Sequence, residues 1–174
     1  MNTTHNDCEQ PDEKRWLKQN RQYTVLDESQ LTSIFYFPLI WNIFEKECCG
    51  KHAYINQHPH EIAEKYATQC AEAVKQPWQH FHSRYFRYGQ PTDAFRNFCF
   101  KSKDIKRDVK SILRHGNEAS NQQKLEALLK IAFRLRHNLF HGEKDVNMLY
   151  GQNDNFRQAN KLLMALIDAH MENR

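Results

Sequence analysis

The chain has 174 residues, of which 40% are hydrophobic and 26% charged, with a formal net charge of +4. That length can bury a substantial core without disulfides or metals, and only five glycines and five prolines argue against a β-sandwich, which spends more residues on tight turns. The mild positive excess permits a nucleic-acid partner without requiring one.

The sequence up to about residue 13 is polar and acidic and reads as a tail without a signal-peptide pattern. A first helix is expected from near Asp27, which can cap it, to Cys49 before Gly50, with a kink or break at Pro38. Its load of Phe35, Tyr36, Phe37, Leu39, Ile40, Trp41, Ile43 and Phe44 reads most simply as core. This stretch is the most apolar in the chain and is too short for a membrane span. A second helix is expected from Pro59 to about Lys75, ahead of Pro77. Trp78 to Tyr88 interleaves aromatics with His80, His82, Arg84 and Arg87, and Gly89-Gln90-Pro91 closes it. Core packing with a basic outer face is the favoured reading there, and a base-stacking surface is the other.

A short helix is expected from Thr92. Ser102 suits the N-cap of a helix reaching His115-Gly116, and Ser120 or Asn121 starts a long helix that ends at His141-Gly142. Asp154 is expected to cap a last helix toward Met171, with Phe156, Ala159, Leu163, Leu166 and Ile167 at helical spacing. The fold class is therefore all-α, a bundle of roughly four to six helices in one domain spanning 1–174. The positive charge concentrates between Lys101 and Arg114, where Lys103, Lys106, Arg107 and Lys110 are candidate RNA-binding residues together with Arg84 and Arg87. A plain solvated helix face explains the same run equally well.

The five cysteines lack any disulfide spacing and fit free thiols in a reducing cytoplasm. His58-Pro59-His60-Glu61, His80-Phe81-His82 and Cys48-Cys49 match no zinc spacing, so neither metal nor other cofactor is expected. No phosphate loop or Ser/His/Asp arrangement is visible.

On the long helix, a step of 100° per residue gathers Leu125, Leu128, Leu129, Ala132, Leu135 and Leu139 on one arc. Arg136 falls in that arc, whereas Arg134 projects nearly opposite, toward solvent. A guanidinium in an apolar stripe must snorkel, meet a carboxylate, or face a wet cleft or a partner subunit. His141 belongs to the last turn or the cap, where free carbonyls favour its protonated form and a nearby arginine opposes it. An imidazole so balanced exchanges a proton near neutral pH.

The string Arg136-His137-Asn138-Leu139-Phe140-His141-Gly142 resembles the R-x4-6-H signature of HEPN domains. Arg134-x6-His141 also satisfies that spacing, but only Arg136 is followed directly by a polar residue. The resemblance is confined to this helix and the one after it. It implies a HEPN-like helical bundle with the motif ending the penultimate helix, and a metal-independent endoribonuclease working as a homodimer. Members of the family act as toxins, with an antitoxin partner, or as host-defence and antiphage effectors. The resemblance implies Arg136 on the scissile phosphate, His141 in proton transfer, and His137 and Asn138 as orienting groups. The alternative is a non-catalytic helical module that binds RNA or a protein.

Overall fold

Ser120 starts the helix around which the rest is built. The computed structural model describes residues 29, 31–141, 149 and 151–174. Among them, seven α-helices follow in order: α1 (Thr32–Cys48), α2 (His58–Tyr66), α3 (Ala71–Tyr85), α4 (Asp93–Arg96), α5 (Lys103–His115), α6 (Asn121–Phe140) and α7 (Asn153–Glu172). Between α3 and α4 lies a small antiparallel hairpin, β1 (Phe86–Arg87) with β2 (Gln90–Pro91). The fold is all-α with α6 penultimate, as expected. The expected N-cap Asp27, the tail and Gly142 lie outside the described residues.

Local sequence chemistry explains several of the boundaries. The Ser120 hydroxyl accepts from Gln123 N while the Gln123 side chain accepts from Ser120 N, a reciprocal capping box that satisfies amides a helix start leaves open. Thr92 and Ser102 cap α4 and α5 one way only, their hydroxyls accepting from Phe95 N and Ile105 N. Gly116 ends α5 at φ +57°, a conformation glycine adopts at little cost.

Of the kink or break expected at Pro38 the break is excluded, and the expected place of Pro77 is corrected. Helix α1 runs through Pro38 undivided, and Pro77 lies inside α3 rather than after α2. The expected helix from Pro59 to Lys75 instead ends at Tyr66, and a turn of Ala67 to Cys70 redirects the chain. That turn buries Tyr66 and Cys70 and lets the Tyr66 hydroxyl reach His170 Nδ1 on α7 at 2.9 Å. Tertiary packing decides this boundary, not local propensity. The bundle therefore has one helix more than the upper expectation.

Helix α6 packs on α2, α3 and α5, while α7 packs on α1 and α3. With neighbours on several sides, α6 buries Ala127, Ile131 and Phe133 as well as the expected Leu125, Leu128, Leu129 and Leu135, with Leu139 half-buried. Arg134 is buried too, at 5% exposure, which corrects its expected projection into solvent. The aromatic run of α1 also splits. Ile34, Phe37, Trp41 and Phe44 enter the core, whereas Phe35, Tyr36, Leu39 and Ile43 are exposed on the opposite face. Trp78, Phe81, Tyr85 and Phe86 pack as core, and of the Trp78 to Tyr88 aromatics only Tyr88 is exposed.

No helix among the described residues is long and apolar enough to cross a membrane. Cys48, Cys49, Cys70 and Cys99 are free thiols. Burial pushes Cys48 up to about 11 and Cys49 up to about 12, which keeps both thiols protonated and slow to react.

Candidate active site

The end of α6 carries polar side chains on three successive sectors of its circumference. Arg136 and Phe140 point one way, His137 and His141 the next, and Arg134 and Asn138 the third, each pair four residues apart. The two arginines thus flank the histidine pair from either side.

Arg134 is fixed from two directions. Its Nε donates to Cys99 O at 3.1 Å, and one terminal nitrogen donates to Asn138 Oδ1 at 3.3 Å. A guanidinium only donates, so the Asn138 oxygen must face it and the orientation of the amide follows. Arg136 is held differently. Its guanidinium carbon lies 5.9 Å from the Trp41 ring centroid and 5.5 Å from that of Phe140, within the range of cation–π attraction. Its Nε is buried without a hydrogen-bond partner. The charge is therefore held by ring faces, with hydrogen-bonding capacity left unused.

His141 is the C-cap residue, its N–H donating to His137 O at 3.1 Å. The rings of His137 and His141 meet edge to face with centroids 4.1 Å apart. Burial pushes the His137 imidazolium down from the usual histidine range, and the charges of Arg134, Lys101 and His141 add to that, against an opposing pull from its own backbone. His137 is thus biased to the neutral form. That ring can accept a proton or a hydrogen bond at one nitrogen while donating at the other.

Arg134, Arg136, His137 and His141 line one cavity of about 150 Å³, walled by Trp41 and Glu45 of α1. Glu45 is held in place, one oxygen accepting from Trp41 Nε1 and the other from Ala53 N, both at 3.1 Å. The structure therefore brings together three of the four expected catalytic residues. Asn138, at 4% exposure, lies beneath them, bonded to Arg134 rather than lining the cavity. Trp41 and Glu45 were missed by sequence reasoning. They are about ninety residues away in the chain, and their only local signal is the four-residue spacing of an indole and a carboxylate.

The expected RNA-binding residues divide into two groups, neither in this cavity. Lys103, Lys106, Arg107 and Lys110 share one face of α5 and line a groove of about 370 Å³ with Arg96 and Phe95. Arg84 and Arg87 line an open depression of about 730 Å³ on the other side of the hairpin, with His80 and His82. Lys101, two residues before α5, is close enough to act on His137.

Among the described residues no group of three or more histidine, cysteine, aspartate or glutamate side chains is placed to hold a metal ion. His58 and His60 are engaged separately, His58 Nδ1 accepting from Tyr54 N at 2.9 Å and His60 pairing with Glu126 at 3.1 Å. No family model, no curated protein and no solved structure matches this chain.

Proposed function

We propose that the protein is a metal-independent endoribonuclease of the HEPN type, with Arg136 and His141 as its principal catalytic groups. The observation that carries the reading is the joint presence of Arg136, His137 and His141 in one cavity, the Arg136 Nε there being buried and unpaired. A buried donor without a partner is costly and calls for an explanation. An anionic phosphate provides one, because the guanidinium fork matches it.

The chemistry needs only the substrate's own nucleophile. The ribose 2′-OH attacks the adjacent phosphorus as its proton is taken up by a base, and the P–O5′ bond breaks as the leaving oxygen gains a proton. The products are a 2′,3′-cyclic phosphate and a 5′-hydroxyl. His141, exposed at the helix end, takes part in proton transfer. Arg136 binds the scissile phosphate and stabilises the added negative charge of the transition state. His137, biased to its neutral form, orients the phosphate or His141, and Asn138 supports the site from below through Arg134.

A homodimer that opposes two such sites belongs to the same reading, and the exposed Phe140 beside Arg136 supplies an apolar contact for it. A toxin or defence role in the cytoplasm, with an antitoxin partner, follows from the resemblance alone. Purified protein incubated with RNA in EDTA tests the reading. Cleavage should persist in EDTA, yield cyclic phosphate ends, fail on a 2′-deoxy scissile nucleotide, and drop at least about a hundredfold in His141→Ala. Equal cleavage by wild type and His141→Ala would refute the site. Inhibition by EDTA that a divalent metal reverses would refute the mechanism.

A further inference from the structure

The hairpin between α3 and α4 carries a side chain that the core does not use. Tyr88 is fully exposed at its tip. Arg87 pairs with Gln90, so Tyr88 and Gly89 form a two-residue turn, with φ of +51° and +71°. Such turns need positive φ at both positions, where asparagine and glycine are favoured. Tyrosine at the first position is a strained choice. A large aromatic ring held into water on such a turn is poorly explained by folding.

The hairpin that carries it borders two basic depressions. Arg84 and Arg87 lie toward the depression bounded by β1. Arg84 Nε is buried without a hydrogen-bond partner. Across the hairpin, Pro91 and Phe95 form the apolar floor of the groove rimmed by Arg96, Lys103, Lys106 and Lys110. Three of the neighbouring cations are already engaged, Arg96 with Asp93 at 2.7 Å, Arg107 with Asp104 at 3.0 Å and Lys106 with Arg96 O at 2.9 Å. Lys103 and Lys110 have no ion pair with any described residue. An exposed ring at the tip of a hairpin whose Arg87 lines one basic depression and whose Pro91 lines the other combines a stacking platform with phosphate partners.

We infer that the hairpin and the α5 groove form a binding surface for unpaired RNA, in which Tyr88 stacks on a base while Arg87, Lys103 and Lys110 hold flanking phosphates. A duplex hides its base faces and offers Tyr88 nothing to stack on. The groove face begins at Lys103, two residues beyond Lys101, whose charge reaches His137. This inference rests on that part of the proposed function which makes RNA the ligand, and specifies single-stranded segments within that class.

The test uses full-length His141→Ala protein, so that binding is read without cleavage, with fluorescently labelled single-stranded RNA and a duplex of the same length in fluorescence anisotropy. Single-stranded RNA should bind more tightly than the duplex. Tyr88→Ala should weaken it about tenfold, with Tyr88→Phe close to the parent. Lys103→Glu with Lys110→Glu should weaken it further and flatten its salt dependence. Tyr88 is solvent-exposed, so its variants should keep the helical spectrum of the parent. Unchanged affinity in Tyr88→Ala, duplex binding as tight as single-strand binding, or equal competition by polyglutamate would overturn the inference. If wild-type protein cuts no RNA but Tyr88-dependent binding is found, the catalytic reading fails and this one stands.

Discussion

The two ends of α6 treat their polar groups in opposite ways. At the N-terminal end Ser120 and Gln123 satisfy each other. One turn on, Glu126 takes Lys130 at 2.8 Å and His60 at 3.1 Å, and their charges hold its carboxyl below its usual value despite burial. At the C-terminal end Arg136 Nε, His137 Nδ1 and Asn138 Nδ2 are all buried without a hydrogen-bond partner. Leaving such groups unpaired costs stability, and one helix shows both the economical solution and the costly one. Polar side chains at the first end are paired within the fold, whereas at the second Arg134 is paired and the three atoms just named are not.

Mutations at the two ends should separate these roles. The largest expected effect on stability is at Arg134, the one cation of the C-terminal end whose hydrogen bonds are made within the fold. Arg134→Ala strands Cys99 O and Asn138 Oδ1 and should cost about 2–3 kcal/mol. Arg136→Ala should cost about 1 kcal/mol, mainly its contacts with Trp41 and Phe140. Urea denaturation of both variants measures the difference, and equal losses would erase the distinction between an arginine bonded within the fold and one held by ring faces.

A smaller effect belongs to the other end. Ser120→Ala removes the hydroxyl half of the capping box and should destabilise by about 1 kcal/mol, with RNA cleavage at permissive temperature unchanged. A loss of cleavage without a shift in the urea midpoint would mean that the two ends are not independent.

The smallest effect is in pH. The folded state depresses the His137 pKa, so below about pH 6.5 the unfolded chain binds the proton more readily and stability falls as pH falls. Histidine NMR titrations should show His137 changing charge at lower pH than an unfolded peptide. Titration at or above the peptide value would contradict the burial that sets His137 apart.

Capping was legible at Thr92, Ser102 and Ser120 because it acts over three residues, but not at Asp154, which lies inside α7 while Gln152 holds the N-cap without a side-chain bond. Thr92, Ser102 and Ser120 mark helix starts wherever the chain is placed. The end of α2 was not, since no glycine or proline stands there and the turn exists to seat Tyr66 against His170. Facing on α6 failed at Arg134 for a related reason. A single-stripe projection assumes one buried side, and the segment around Cys99 covers the other. His141 was placed correctly at the cap because a helix terminus is a local event. Trp41 and Glu45 were out of reach, since only the packing of α1 brings them to the cavity.

The pairing of α1 with α7 has a consequence during synthesis. Helix α1 leaves the ribosome carrying Ile34, Phe37, Trp41 and Phe44, yet much of the surface they pack on belongs to a helix that begins at Asn153. At about 5–20 residues per second, the intervening hundred or so residues take roughly 5–20 s to appear. For that interval α1 offers apolar residues on both of its faces, Leu39 and Ile43 on the outer one, and is a natural client for chaperones. Because Trp41 also walls the cavity that holds Arg136, a nascent chain that has not yet released α7 lacks the docked α1 the site depends on.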